Sequence, residues 1–433
     1  MDTRTAHALI RFGLGRRGNE DLPTDPQAWL ARQLDGPDPY LARPGPSTAE
    51  GLTALQEDRQ EKDPDPAKRR QRVRDLLRAE SATLIDHGLT TADGFRERLV
   101  WFWANHFTVS LRRGECAGAM SGYLREAIRP HVTGRFHDML LAVMTHPAMI
   151  MYLDNQQSFG PDSVAGRKQK KGINENLARE CLELHTVTPA SGYTQADVTA
   201  FAEVISGWSI ELNQSPPGFR FRPFGHQPGP KTVLGQTFPE GEQGGRQALA
   251  FLAAHPATLR NLATKLARHF VSDTPPRDVV AHVERVLHDT QGDLKAATLA
   301  LIARPEAWQP LTKLRQPSDF VLAVLRALDL PTDKRPPDVG GIMTGLGQQM
   351  LFAPLPNGWP DTAADWSGPE AVMRRIDWVY GVTGRAPNMD AEQIADTTLG
   401  PLLSEGTKLA MHRAGSRRDA LTLLLASPEF NRR

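Results

Sequence analysis

Residues 174–208, NENLARECLELHTVTPASGYTQADVTAFAEVISGW, read as a helix, a short turn and a second helix, and they set a helical frame for the whole chain. In the first helix Leu177, Cys181 and Leu184 form an apolar stripe. Beside it Asn176, Glu180 and Glu183 fall at i, i+4 and i+7, which places them on one face. Glu175 pairs with Arg179, and Arg179 with Glu183, at the four-residue spacing of helical ion pairs. Propensity is high through LARECLEL, and the helix is expected to end near Thr188 because Pro189 cannot continue it. Ala190-Ser191-Gly192 suits a turn. Thr194, with Asp197 three residues later, predicts a capping box that opens the second helix.

Working outward, GFRERLVWFWANHFTVSL at 94–111 is far more apolar and should be central core. Leu99, Phe102, Trp103 and His106 line one side of its helix, with Phe107 close by. His106 is either a ligand or a histidine held by a buried carboxylate or a backbone carbonyl. In HPAMIMYLDNQQS, residues 146–158, an apolar helix gives way to a polar loop at Asp154 and Asn155, which suits a site rim or a helix cap. Residues 211–240 are rich in proline, glycine and aromatics. There Phe219, Phe221 and Phe224 interleave with Arg220 and Arg222, and KTVLG supplies a partner. The pattern predicts one small β-hairpin around 219–235 that presents His226. In HPATLRNLATKLARHFVSDTPP, Leu259, Leu262, Ala263, Leu266 and Phe270 share a face, leaving Lys265, Arg268 and His269 elsewhere or at its edge. PLPNGWPDTAADW, residues 354–366, reads as an ordered loop pinned by Trp359 and Trp366, with a substrate platform as the other reading.

The 433 residues balance 51 Lys plus Arg against 50 Asp plus Glu, a formal charge of +1 that does not point to nucleic acid. The basic run KRRQRVR, after Pro64 and Pro66, has acidic neighbours and reads as a solvated helix face. Two cysteines, Cys116 and Cys181, exclude a disulfide scaffold and a cysteine-rich metal site. No long apolar run predicts a membrane span, and MDTRTAHALIRFGLG lacks the apolar core of a signal peptide, so a cytoplasmic protein is expected. The fold class is mainly α. One large multi-helix unit spans 1–433, with 35–48, 159–172 and 211–240 as loop or insertion segments.

HALIRFGLG, WFWANHFTVS, MIMYLDNQQS, NENLARECLELHTVTPASGYTQADV, FRPFGHQPGPKTVLG, PNGWP and LLLASPEF occur in this order along essentially the whole chain. Together they resemble the bacterial family DUF1800, a domain of unknown function. The resemblance implies one large, predominantly helical unit. By gene proximity it also implies a sulfatase-like protein partner, often among exported proteins. Where the family commonly reads His-Asp, this chain has His226-Gln227, which loses a charge but retains hydrogen-bonding capacity.

The polar residues on the 176–183 face suggest a site. Asn176, Glu180, Glu183 and Asp154 are oxygen donors suited to a divalent metal ion. Glu180, Glu183, His185, His106 and His226 are the candidate catalytic side chains, with Asn155 as a further donor. Such an ion would activate water in a hydrolase. The alternative is a non-catalytic helical partner or assembly protein whose buried carboxylates are neutralised by arginines or backbone amides.

Overall fold

The computed structural model of the chain describes residues 1–18, 20–62, 71–330, 338–386 and 388–433. Pro64, Pro66 and the first part of the basic run lie outside the described residues. Helix α1 (Gly94–His106) is buried nearly all round, so its charged residues need partners inside the protein. Glu97 forms a two-bonded pair with Arg129 at 2.8 and 2.7 Å, and the Arg96 guanidinium donates to the Gln33 carbonyl at 2.9 Å. Arg98 reaches Asp319 at 2.8 Å.

The 174–208 segment folds as helix, turn and helix, but its first helix is shorter than its sequence suggests. Regular α2 (Asn176–Glu180) widens at once into a π-turn, Cys181–His185. The Thr186 hydroxyl donates to the Cys181 carbonyl at 2.7 Å and the Thr188 N–H to the Leu182 carbonyl at 2.8 Å, closing the helix early. Thr188 itself takes φ +61°. Arg179 turns back to Glu175 at 2.7 Å and across to Gln195 at 3.0 Å, rather than forward to Glu183. The capping box forms as expected: the Thr194 hydroxyl accepts the Asp197 N–H, and the Asp197 carboxylate accepts the Thr194 N–H, opening α3 (Gln195–Val204).

The strand region holds two hairpins where one was expected. β1 (Trp208–Glu211) pairs antiparallel with β2 (Gly218–Phe221), placing Trp208 opposite Phe221. β3 (Lys231–Val233) pairs with β4 (Gln236–Phe238). The Phe219 segment thus pairs backward, and KTV pairs forward. The physical reason lies in Leu234-Gly235, whose φ angles of +50° and +78° are both positive, as a tight two-residue hairpin turn requires. The Leu234 N–H donates to Asp197 at 2.7 Å, tying this second hairpin to the start of α3.

Two hydrophobic clusters make the interior of one mainly helical domain. The larger gathers Phe12, Phe95, Trp103, Phe107, Leu177, Phe201 and Trp208, together with the apolar face of α4 (Pro256–Phe270). The second is built on α5 (Pro317–Leu328), which packs with Ile10, Val379, Leu421 and Leu424. The Arg98–Asp319 pair bridges α1 and α5 where the two clusters meet. Among the described residues no helix is long and apolar enough to cross a membrane.

Candidate functional site

At this junction lies a cavity of about 330 Å³. Two helices wall it by simple periodicity. On α1, Arg98, Trp101, Phe102 and Asn105 stand at i, i+3, i+4 and i+7; on α4, Lys265 and His269 are one turn apart, with Arg268 beside them. The 354–366 loop covers the opening, and the cap holding it is Asn105. Its Nδ2 donates to the Trp359 carbonyl at 2.9 Å, and its Oδ1 accepts the Trp359 N–H at 2.8 Å. Gly358 is required here: its φ is +78°, and a Cβ would lie 2.5 Å from the Asn105 carbonyl oxygen. Buried Trp366 donates its indole N–H to the Pro360 carbonyl at 2.9 Å, anchoring the far side of the loop.

The loop delivers Asp361 to α4. His269 Nδ1 lies 2.8 Å from Asp361 Oδ2, and the Gln316 amide donates to Asp361 Oδ1 at 3.0 Å. A carboxylate only accepts, so His269 Nδ1 carries the proton and Nε2 keeps its lone pair. That Nε2 is buried and has no hydrogen-bond partner among the described residues, while His269 lines the cavity. Burial pushes the His269 pKa down to about 4, with Asp361 only partly opposing, so the ring is neutral at pH 7. Burial also opposes ionisation of Asp361. The neighbouring His269, Lys313 and Arg433 outweigh it and hold the carboxyl well below its ordinary range.

The surroundings are rich in cations. Asp319 answers three buried guanidiniums: Arg98 at 2.8 Å, Arg433 at 3.2 Å and Arg315 at 3.3 Å. Burial opposes the Asp319 charge too, and Arg98, Arg315 and Arg433 reverse that. Lys265 has no carboxylate partner among the described residues. It donates to the Leu184 carbonyl at 3.0 Å and to His106 Nδ1 at 3.1 Å; burial, with Arg268 adding to it, pushes its pKa down to about 8. Arg268 is exposed at the cavity edge, with no carboxylate paired to it among the described residues.

The side chains singled out in the sequence are dispersed. Beside Trp359, of the loop read as a candidate substrate platform, only His106 of the candidate catalytic and metal-ligating residues lines this cavity. Its Nε2 donates to the His185 carbonyl at 3.2 Å, while Lys265 and Asn261 serve the Leu184 and Thr186 carbonyls. Side chains from two other helices thus cap the end that the π-turn leaves open. His185 is 1% exposed, and among the described residues neither ring nitrogen has a partner; burial lowers its pKa to about 3. His226 is saturated elsewhere, donating from Nδ1 to the Ser206 carbonyl at 2.8 Å and accepting the Gly241 N–H on Nε2 at 2.9 Å. Gln227 keeps hydrogen bonds in place of a charge, exchanging two with Asp162 at 3.0 and 3.1 Å.

Asn176 is exposed, and Asp154 (φ +59°) pairs with Arg113 at 2.7 Å. The Asn155 amide is spent on the Ile205 and Trp208 carbonyls. Glu180 and Glu183 are half-buried, and neither accepts a hydrogen bond from a described residue. Burial, then the charge of Glu183, raises the Glu180 pKa. Among the described residues no three His, Cys, Asp or Glu side chains come together so as to hold a metal ion, so Asp154, Glu180 and Glu183 do not make the expected cluster. Cys181 is a buried core thiol.

Sequence reasoning passed over Lys265, His269 and Asp361. A faint signal was present: a lysine and a histidine one turn apart at the border of a strong apolar stripe. The carboxylate partner of His269 stands 92 positions away, in the tryptophan loop, and no local pattern joins the two.

Comparison with curated proteins gives no match, and comparison with solved structures gives none either. One family model does match, that of "Protein of unknown function (DUF1800)", over residues 7–432. A match of that extent takes in the hairpins, both hydrophobic clusters apart from the first residues of the chain and every cavity-lining residue but Arg433, and by it the chain belongs to the DUF1800 family.

Proposed function

We propose that the chain is an enzyme that acts on an anionic small molecule by general-base chemistry, with His269 as the base. The observation that carries this reading is the His269 ring: one nitrogen is committed to Asp361, the other is buried without a partner among the described residues, and the residue lines the cavity. Asp361 fixes the tautomer and would stabilise the imidazolium formed when Nε2 takes a proton. Lys265 and Arg268, free of carboxylate partners among the described residues, would hold the anion. In a hydrolysis, water oxygen would bond to the electrophilic centre as its proton passes to Nε2. The same proton would then go to the leaving group as its bond breaks. Of the two classes read from the sequence this keeps the hydrolase over the non-catalytic partner, but without its metal ion, and moves the chemistry from the Glu180–Glu183 face to the α1–α4 cleft.

The test is a panel of nitrophenyl esters, phosphates and sulfates, offered to the wild type, His269→Gln, Asp361→Asn and Lys265→Met. Turnover of at least one anion that drops about 100-fold or more in His269→Gln, with folding kept, supports the reading. Turnover indifferent to His269→Gln, or none across the panel, overturns it.

A second reading keeps a divalent ion on Glu180 and Glu183. What favours it is that these neighbouring half-buried carboxylates lack hydrogen-bond donors, and that the charge of one raises the pKa of the other. Two carboxylates with water completing the shell suit a hard cation. Metal content by plasma mass spectrometry, compared with Glu180→Gln and Glu183→Gln, decides it. Stoichiometric metal lost in both variants supports the ion; wild type that stays metal-free after divalent ions are supplied removes it.

A further inference from the structure

The cavity does not end at the charged groups. A smaller space of about 100 Å³ adjoins it, and Trp101, Asn105, Gln316, Ser318, Met343 and Trp359 line both. The annex walls include Ala104, Val109, Met350, Leu351 and Ala353 beside the uncharged polar Thr108 and Gln348, and among the described residues no charged side chain lines it. Every charged wall residue, Lys265, Arg268 and Asp361 among them, belongs to the larger space. The compartment is therefore polarised, cationic at one end and apolar at the other. At the junction, Trp101 also leaves its indole N–H buried without an acceptor. A compact ion such as phosphate would leave the annex walls bare, and a uniformly polar ligand would strand its own groups against them.

We infer that the ligand is an amphiphilic carboxylate, whose anionic head lies toward Lys265 and Arg268 and whose unbranched apolar tail enters the annex past Trp101 and Trp359. This rests on the reading of the cleft as an anion site and adds the ligand's shape and class. The apolar end supplies affinity and length selection, while the charged end supplies orientation.

The probes are linear alkyl carboxylates from acetate to octanoate, titrated calorimetrically against the full chain. Each methylene that reaches the annex is expected to tighten Kd about fourfold. Ala104→Leu, which fills the annex from α1, is expected to halt that gain at a shorter chain while leaving acetate and butyrate unchanged. Ala353→Leu fills it from the opposite wall and serves if the first variant misfolds. Lys265→Met should weaken every member about equally. Short carboxylates that bind and respond to Lys265→Met, with no dependence on chain length, overturn the tail assignment alone. An unaltered length series in a folded, annex-filled variant does the same. If no carboxylate binds, or binding ignores Lys265→Met, the inference fails, and the anion reading falls with it only if the nitrophenyl phosphates and sulfates are not turned over either.

Discussion

Asn105 holds Trp359 through both ends of its carboxamide, at 2.9 and 2.8 Å, in the manner of a β-bridge made by a side chain. One residue of α1 thereby fixes the loop that carries Asp361, and the loop in turn fixes the tautomer of His269. The acid–base pair depends on a clasp that makes no contact with it.

Asn105→Ala is therefore expected to cost about 1–3 kcal/mol and to expose the 354–366 loop. Limited proteolysis and amide exchange would show protection lost there while α1 and α4 stay protected. Gly358→Ala should do the same by a steric route, since the new Cβ meets backbone at 2.5 Å. Protection unchanged in both variants would show that the clasp does not hold the loop.

Asp319→Asn leaves Arg98, Arg315 and Arg433 without their shared charge. Breaking such a buried network from one side costs about 3–5 kcal/mol, read as a lower urea midpoint. A variant as stable as the wild type would mean that solvent already screens these guanidiniums.

His185, a catalytic candidate in the sequence, is expected to behave as a destabilising core residue. With both ring nitrogens buried and unpartnered, His185→Leu should raise stability by about 1 kcal/mol and leave any activity intact. Loss of activity with stability gained would return His185 to the chemistry.

Acid sensitivity follows from the same burial. His269 is held down to about 4, and His185 and His7 to about 3, from an ordinary value of 6.5. The unfolded chain takes up these protons as pH falls through about 6.5; the folded protein resists until about 4 or below. Their contribution is thus complete above pH 6.5 and is lost as pH falls toward 4 and then 3. Urea midpoints between pH 7 and 4 should fall steadily, less steeply in His185→Leu; a flat wild-type profile would contradict this.

Lys265 acts at the other end of the scale. Its folded pKa of about 8 lies below the ordinary 10.5, so between those values the unfolded state binds more protons and stability rises with pH. Its ammonium is lost over the same range. Carboxylate affinity should fall above pH 8, and Lys265→Met should abolish both trends. Binding that strengthens with pH would exclude Lys265 as the anion's partner.

Local sequence was enough for whatever depends on neighbours in the chain. The Thr194–Asp197 capping box, the Glu175–Arg179 pair, the buried stripe of α4 and the mainly helical class rest on spacings of three or four residues, which helix geometry converts directly into contact. The early end of α2 was not legible, because the π-turn is stabilised by His106, Asn261 and Lys265 from distant helices. Nor was the pairing of the hairpins, where two positive φ angles outranked the aromatic pattern. The site belongs wholly to tertiary structure. His269 and Asp361, or Arg98 and Asp319, carry no mark of each other in sequence. Only the burial of both clusters brings them together, in a place where water cannot satisfy the charges that the chain leaves over.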